Sequence, residues 1–367
     1  MTSQLEAVGR MKMALDTPVL LVDLAVMEGN IRQIAAICRN AKVAWRPHTK
    51  GIKIPAIAHE ALAAGAIGVT CAKLGEAEVM AAAGIHDILV ANQIVGAPKI
   101  ARLIGLQRHA EVKVLVDSAD NVAALAAEAS AVGVRLGVLI EVDIGMGRAG
   151  VAPGESAITL ARTIKALSAL ELVGVAGWEG HTTEISDEKE KAAAIEGAVS
   201  KLTATADALR HAGFSVSIVS CGGTGTFRFT TRLPGVTEIQ AGGGILSDVR
   251  YRTKCNADLP YSLTVLTTVI SRPNDRRIIC DAGKKTMSTD AAIPLPLGVE
   301  FVKSVNLSAE HARVELDQPS HFPKVGDKLE FVVGYSDTTV HLHEEMIGVR
   351  DGRAEIVWPI LGRGKLR

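Results

Sequence analysis

The sequence predicts an α/β protein, a (β/α)₈ TIM-type barrel with a C-terminal antiparallel β domain. Between Pro18 and Asp248, short apolar runs alternate with alanine-rich amphipathic stretches about eight times. Beyond Asp248 the sequence changes to strand-type runs separated by turns. Aromatic residues make up only 3% of a chain that is 48% apolar, so aliphatic side chains must build the core, as in helix-covered parallel sheets.

The predicted strands of the barrel follow one another at regular spacing. They are VLLVDL (19–24), AKVAWRPHTK (41–50), IGVTCAK (67–73), DILVANQ (87–93), VKVLVDS (112–118), RLGVLIEVDIG (135–145), LVGVAGWEGH (172–181), VSIVSCGG (216–223) and VTEIQAGG (236–243). An open doubly wound sheet also fits this pattern, but a strand count near eight favours the closed barrel. No GxGxxG motif opens a helix after the first strand, which counts against a dinucleotide site.

Seven further strands are predicted in the C-terminal part. They are SLTVLTTVISR, RRIICDAG, VEFVKSVN, ARVELDQ, DKLEFVVG, MIGVRDG and AEIVWPI. We therefore predict a barrel domain over residues 16–250 and a β-rich domain formed by residues 1–15 and 251–367. No low-complexity segment or long linker separates the two domains.

Charge and cysteine content exclude several classes of protein. Forty basic and forty acidic side chains give zero net charge, which argues against nucleic acid or an anionic membrane as a partner and leaves a small molecule. The five cysteines form no CxxC pair and are expected to be reduced and buried. The first residues lack an apolar signal region, and no run reaches the roughly eighteen apolar residues that span a bilayer. We expect a soluble, cytoplasmic protein.

Two lysines at strand ends are candidates for covalent catalysis. Lys50 follows the second strand together with Arg46 and His48, and Lys73 follows the third. A lysine at the mouth of a barrel can form a Schiff base with a carbonyl, whereas an ordinary loop lysine is solvated. Strand position alone leaves the choice between Lys50 and Lys73 open.

Two glycine-rich turns follow the late strands of the barrel. SCGGTGTF (220–227) and AGGG (241–244) expose backbone N–H groups where a phosphate commonly binds in barrel enzymes. A lysine early in the barrel and a phosphate cradle late in it together suggest pyridoxal 5'-phosphate. Arg148 can approach the ring of the cofactor or pair with Asp143 at the surface.

The segment GYSDTTVHLHEE suggests a metal site. Tyr335, Asp337, His341 and His343 share parity, so one extended strand would direct them to the same face. Aspartate and histidine together are a plausible ligand set for a divalent ion such as Mg²⁺, Mn²⁺ or Zn²⁺. An HxH pattern on a strand is also common at ordinary surfaces.

A set of motifs resembles one known family over nearly the whole chain. In order they are LDTPVLLVDL, WRPHTKG, GVTCAKLGEAE, ANQIVG, EVDIGMGRAGV, CGGTGTF, EIQAGGG, CDAGKK, AEH, GYSDTTVHLH and GVRDGRAEIVWPI. They resemble the D-threonine aldolase / D-serine dehydratase family, which has the alanine-racemase fold type and uses pyridoxal phosphate. The combination of RPHTK with a late GGTG and a terminal WPI is specific, whereas single motifs are not.

The resemblance assigns roles to particular residues. It implies Lys50 as the Schiff-base lysine and Arg148 as a contact of the cofactor. It implies that the phosphate binds at four positions of the glycine-rich turns: Gly223, Thr224, Gly242 and Gly243. His48, beside Lys50, and Trp178, where family members often carry tyrosine, complete the candidate cofactor set.

The sequence departs from the family at two places. Tyr335 stands where the family's metal loop commonly has histidine, so Asp337 would need other ligands such as His343, or the metal would be weak or absent. Glu184 stands where family members often have histidine, so we take His181 as the candidate base, although it can equally be a packed strand-end residue.

The resemblance implies a lyase that cleaves D-3-hydroxy amino acids to glycine and an aldehyde, assisted by a divalent metal. The alternative is a dehydratase that converts D-serine-like substrates to a keto acid and ammonia. We favour the aldolase because, within the family, aspartate at the position of Asp337 accompanies aldolases more often. A non-catalytic pyridoxal-phosphate-binding protein is a third reading, disfavoured by the C-terminal domain. A homodimer is expected from the family.

Overall fold

The computed structural model describes residues 4–367, which form two compact units. The barrel unit comprises Arg32–Lys50, Ile57–Gly242 and Gly364–Arg367. The sheet unit comprises the residues up to Ile31, Gly51–Ala56 and Gly243–Arg363. All five cysteines are buried and free, as predicted. Within the described part of the chain, no helix combines the length and the apolar character needed to cross a membrane.

Eight parallel strands form the barrel unit. The first strand of the chain, β1 (Val19–Asp23), belongs to the sheet unit. The eight strands that follow within residues 4–367 are β2 (Ala44–Trp45), β3 (Val69–Cys71), β4 (Asp87–Gln93), β5 (Glu111–Val116), β6 (Leu136–Glu141), β7 (Leu170–Ala176), β8 (Ile218–Cys221) and β9 (Glu238–Ile239). Each strand from β3 pairs with the next, and β9 pairs with β2. A parallel bridge between His48 and Thr70 joins the exit of β2 to β3, so the predicted barrel is confirmed as a closed ring.

Helices alternate with these strands. They are α1 (Leu24–Asn40), α2 (Pro55–Ala63), α3 (Leu74–Ala82), α4 (Ala97–Leu106), α5 (Ala119–Ala131), α6 (Glu155–Lys165), α7 (Glu188–His211) and the short α8 (Phe227–Thr230). In α4 the buried residues Ile100, Leu103 and Ile104 have the i, i+3, i+4 spacing of one helix face. Ser118 begins α5 by accepting a hydrogen bond from the N–H of Asn121, and Asp187 caps α7 in the same way.

A paired set of charges lies inside the barrel unit. The guanidinium of Arg46, whose side chain is 2% exposed, donates to Glu238 at 2.8 Å and to Asp87 at 2.7 Å. Lys113 also donates to Asp87, at 2.9 Å. Burial raises the pKa of Asp87, but Arg46 and Lys113 outweigh this effect and lower it. Because buried charges are tolerated only when paired, these contacts tie β2, β4, β5 and β9 together.

The sheet unit is built on nine strands within residues 4–367. They are β1 together with β10 (Leu263–Asn274), β11 (Arg277–Cys280), β12 (Leu295–Pro296), β13 (Val302–Leu307), β14 (Ala312–Leu316), β15 (Lys328–Val332), β16 (Glu345–Arg350) and β17 (Arg353–Pro359). All seven predicted C-terminal strands are present. Pairing is antiparallel except between β1 and β16. An antiparallel bridge joins Met11 to Arg353, and residues 1–3 of the predicted domain lie outside the described residues.

Two local predictions are wrong. VLLVDL does not begin the barrel, because β1 pairs with β10 and β16 in the sheet unit. GYSDTTVHLH is not an extended strand, because α10 (Ser336–Val340) occupies its centre. The carboxylate of Asp248 accepts from the N–H of Ser336 and from that of Tyr251, both at 2.7 Å. It thereby satisfies the N-termini of α10 and of α9 (Val249–Thr253), which stabilises helix where sequence parity suggested strand.

Candidate functional site

The exit of β2 carries the predicted Schiff-base lysine. The N–H of Thr49 donates to the carbonyl of Thr70 at 2.7 Å, and the N–H of His48 donates to the carbonyl of Gln240 at 3.0 Å. Neighbouring strands thus hold this segment from both sides. Lys50 is half-buried at the end of it, whereas Lys73 is exposed just before α3. Their difference in burial favours Lys50 as the reactive lysine.

At Gly242 the exit of β9 packs closely against the exit of β2. A Cβ on Gly242 would overlap the backbone of His48, so only glycine permits this approach. The indole N–H of Trp45 donates to the carbonyl of Ala241 at 2.7 Å and holds the same segment. Gly243 lies in the sheet unit, where a Cβ would meet the phenol oxygen of Tyr251 at 2.5 Å.

The glycine-rich turn after β8 is closed by its own hydrogen bonds. Gly222 has a φ of +72°, and the N–H of Gly223 donates to Oγ1 of Thr226 at 3.0 Å. Thr224 is buried. A Cβ on Gly223 would overlap the indole ring of Trp178, so the turn after β8 packs directly on the residue that follows β7.

Glu179 is a member of the site that sequence reasoning missed. Its side chain is completely buried, and it accepts hydrogen bonds from Thr226 at 2.7 Å, Thr230 at 2.9 Å and the N–H of Gly222 at 3.3 Å. Burial raises the pKa of Glu179, while these donors act in the opposite direction. Its position in GWEGH was the available signal, since an acidic residue followed a buried strand.

Arg148 lies at the exit of β6, in a small cleft. The side chains and backbone around this cleft come from Glu141, Val142, Asp143, Ile144, Met146, Arg148, Ala149 and Trp178. The guanidinium of Arg148 is half-exposed and lies 3.7 Å from the carboxylate of Glu141. Burial raises the pKa of Glu141, which also accepts from Gln93. Arg148 therefore pairs with Glu141 rather than with Asp143.

His181 lies over the loop that Asp143 organises. The carboxylate of Asp143 accepts from the N–H groups of Gly145 and Gly147, both at 3.0 Å, and these bonds lower its pKa. A Cβ on Gly145 would lie 2.8 Å from Cε1 of His181, so the imidazole packs against this glycine. His181 is exposed, as a base that meets a substrate must be.

The three predicted metal ligands lie in the sheet unit. The phenol of Tyr335 donates to the carboxylate of Asp337 at 2.9 Å, and Arg250 lies 5.1 Å from the centre of the Tyr335 ring. Burial and the Asp337 carboxylate raise the pKa of Tyr335, which keeps the phenol protonated. Nε2 of His343 bonds to the carbonyl of Thr286 at 2.8 Å, and burial lowers the pKa of His343.

This donor set does not fit a divalent ion. A protonated phenol is a poor ligand, and Tyr335 uses its hydrogen to bond the one carboxylate of the set. Within residues 4–367, no three His, Cys, Asp or Glu side chains are grouped as a metal would require.

The barrel residues, by contrast, fit a phosphorylated aldehyde. Parallel strands direct their carboxyl ends to one mouth, so the exits of β2, β6, β7, β8 and β9 meet there. The contacts of His48 with Gly242 and of Trp178 with Gly223 link neighbouring exits. A lysine amine and a turn of amide and hydroxyl donors are the groups that an aldehyde and a phosphate require.

Comparison with known proteins agrees with the fold. Residues 22–247 match the alanine racemase N-terminal domain, and residues 262–349 match a putative serine dehydratase domain. A D-threonine aldolase of Arthrobacter sp is 35% identical, covering 95% of this chain and 93% of its own. A 3-hydroxy-D-aspartate aldolase of Paracoccus denitrificans is 33% identical, covering 96% and 93%.

A solved structure gives the same relationship. The D-threonine aldolase from Filomicrobium marinum superposes with a TM-score of 0.94 at 32% identity, covering 98% of this chain and all of that one. The resemblance inferred from the motifs is therefore confirmed. The chain belongs to the D-threonine aldolase / D-serine dehydratase family, with an alanine-racemase-type N-terminal domain and a serine-dehydratase-type C-terminal domain.

Proposed function

We propose that this protein is a pyridoxal-phosphate-dependent lyase that cleaves D-3-hydroxy amino acids by a retro-aldol reaction to glycine and an aldehyde. The observation that carries the proposal is the barrel mouth, where the segment bearing Lys50 packs through His48 on Gly242. Relatives named as aldolases, which cover over nine-tenths of the chain, support it further.

Lys50 and the glycine-rich turn have separate roles in binding. The cofactor, when bound, supplies an electron-withdrawing ring that stabilises charge on the α-carbon of the substrate as a bond to it breaks. The half-buried amine of Lys50 would hold the aldehyde end of the cofactor. The amide groups at the tip of the turn after β8 and the hydroxyl of Thr224 would hold the phosphate, and Trp178 packs against the turn.

His181 is the base of this proposal. Carbon–carbon cleavage begins with removal of the proton on the β-hydroxyl, and a ring nitrogen of the exposed His181 receives it. Packing of the imidazole on Gly145 restricts its orientation. Arg148, half-exposed beside Glu141, supplies positive charge near the cofactor.

No step is assigned to a divalent ion. Although the family resemblance implies one, Tyr335 and Asp337 are bonded to each other and His343 bonds to a backbone carbonyl. A cytoplasmic location is proposed from the sequence, and a homodimer from the family resemblance. Sedimentation of the purified protein tests the second.

Product analysis tests the function directly. We expect incubation with D-threonine to give acetaldehyde and glycine in equal amounts, and the L enantiomer to give neither. D-serine serves as the comparison substrate. Keto acid and ammonia as the main products would instead establish the dehydratase. Cofactor absorbance without turnover of D-threonine, D-serine or D-3-hydroxyaspartate would favour a non-catalytic binding protein.

Lys50→Ala should abolish the visible absorbance of the lysine-bound cofactor near about 420 nm, together with activity, because no other amine holds the aldehyde at this position. Lys73→Ala is the matched control, since Lys73 also follows a barrel strand but is exposed. Absorbance spectra and circular dichroism of both variants check the prediction. Loss of the band in the Lys73 variant alone would reverse the assignment.

His181→Asn should lower kcat for D-threonine by roughly 10²–10⁴-fold and leave the cofactor absorbance unchanged, because a general base contributes in this range. His211→Asn, at the exposed end of α7, is the control and should retain full activity. Steady-state kinetics measure both. A kcat within about twofold of wild type would remove His181 from the mechanism.

Chelation should leave the rate unchanged. We expect dialysis against EDTA to alter kcat/KM by less than about twofold, since Tyr335 and Asp337 form a hydrogen-bonded pair rather than a ligand set. Elemental analysis of the dialysed protein gives the metal content independently. A loss that Mn²⁺, Mg²⁺ or Zn²⁺ restores in wild type, but not in Asp337→Asn, would instead establish the metal site that the resemblance implies.

A further inference from the structure

We infer that Glu179 is a positioning residue that shapes the glycine-rich turn of residues 222–226 for the phosphate of the cofactor. This inference rests on the proposed function, because it presumes that the turn receives a phosphate. The carboxylate of Glu179 accepts from groups of the turn and of α8 behind it: the N–H of Gly222 and the hydroxyls of Thr226 and Thr230.

The carboxylate fixes both ends of the turn. One oxygen accepts from the N–H of Gly222 at 3.3 Å, where the turn leaves β8. The other accepts from Thr226 at 2.7 Å, where the turn enters α8, and from Thr230 at 2.9 Å, the last residue of that helix. A single rigid side chain from the exit of β7 therefore determines the separation of the two ends.

The hydroxyl of Thr226 links the carboxylate of Glu179 to the backbone of the turn. A hydroxyl has one hydrogen to donate, and that of Thr226 is directed by its short contact with Glu179. Its oxygen can then accept from the N–H of Gly223, which lies 3.0 Å away. The residues between these two groups, Thr224 and Gly225, form the tip of the turn, and their position depends on this closure.

Glu179 does not act as a direct ligand of the phosphate. Its side chain is completely buried, and a carboxylate facing a phosphate would repel it. If Glu179 acts by holding the turn, its substitution must weaken the binding of ligands that carry a phosphate and leave the binding of ligands without a phosphate unchanged.

Comparison of pyridoxal phosphate with pyridoxal isolates this effect. Apoprotein is titrated with each ligand, and the two dissociation constants are measured for wild type and for Glu179→Ala. We expect the Kd for pyridoxal phosphate to rise about tenfold or more, because each lost hydrogen bond to a charged group is substantial. The Kd for pyridoxal should change by less than about twofold.

Two further variants separate positioning from general stability. Thr230→Val removes one of the three donors to Glu179 with little change in volume, and should give a smaller shift in the same direction. Glu238→Gln is the matched control, because Glu238 is also a buried carboxylate but bonds to Arg46 and Ser220. It should lower the melting temperature without changing the ratio of the two dissociation constants.

The possible outcomes separate failure of the positioning role of Glu179 from failure of the proposed function. Equal weakening of both ligands in Glu179→Ala, or no weakening of either, overturns the positioning role alone if wild type binds pyridoxal phosphate. Wild-type protein that shows no preference for pyridoxal phosphate over pyridoxal overturns the phosphate site, and the inference with it. A phosphate-specific shift that follows the order wild type, Thr230→Val, Glu179→Ala supports the inference.

Discussion

Closure of the parallel sheet is the constraint on which the barrel unit depends. β2 has only two residues, yet its segment pairs with β9 on one side and reaches β3 through the bridge between His48 and Thr70. Arg46 reinforces the closure, because its guanidinium bonds to Glu238 of β9 while its backbone N–H donates to Ile239. Without this closure Lys50 would lie at an open edge. With it, the lysine segment lies beside the exit of β9, and the exit of β8 follows next around the ring.

The fold was predictable because buried positions recur in the sequence as regularly spaced apolar residues. DILVANQ coincides with β4, residue for residue, and the other barrel strands overlap the predicted apolar runs, although β5 and β7 begin before them, at Glu111 and Leu170. VLLVDL was placed in the wrong sheet. An apolar run indicates that both faces of a strand are buried, but it does not indicate which strand it pairs with. Four of the five residues of β1 are buried, as they would also be in the barrel.

The site was predictable only where glycine, lysine or a strand end marked it. Gly223 and Gly242 were proposed because glycine-rich turns expose backbone N–H groups, and in the structure each lies against a neighbouring group, Trp178 or His48. Glu179 was missed because its role arises from three donors that converge from separate segments, and sequence spacing does not encode convergence. Pairing of Arg148 with Glu141 was missed for the same reason.

The segment around α10 shows how one residue changes the chemistry of a loop. A histidine at position 335 would present a nitrogen lone pair beside Asp337, whereas tyrosine presents a proton that the carboxylate accepts. The phenol is thereby directed to Asp337, and the guanidinium of Arg250 lies 5.1 Å from the centre of the tyrosine ring. Asp248 accepts from the N–H of Ser336 at the N-terminus of α10, so the residues that shared parity in sequence do not lie on one extended strand. The loop therefore contains residue types that can bind a metal, but in the structure these side chains are hydrogen-bonded within the protein.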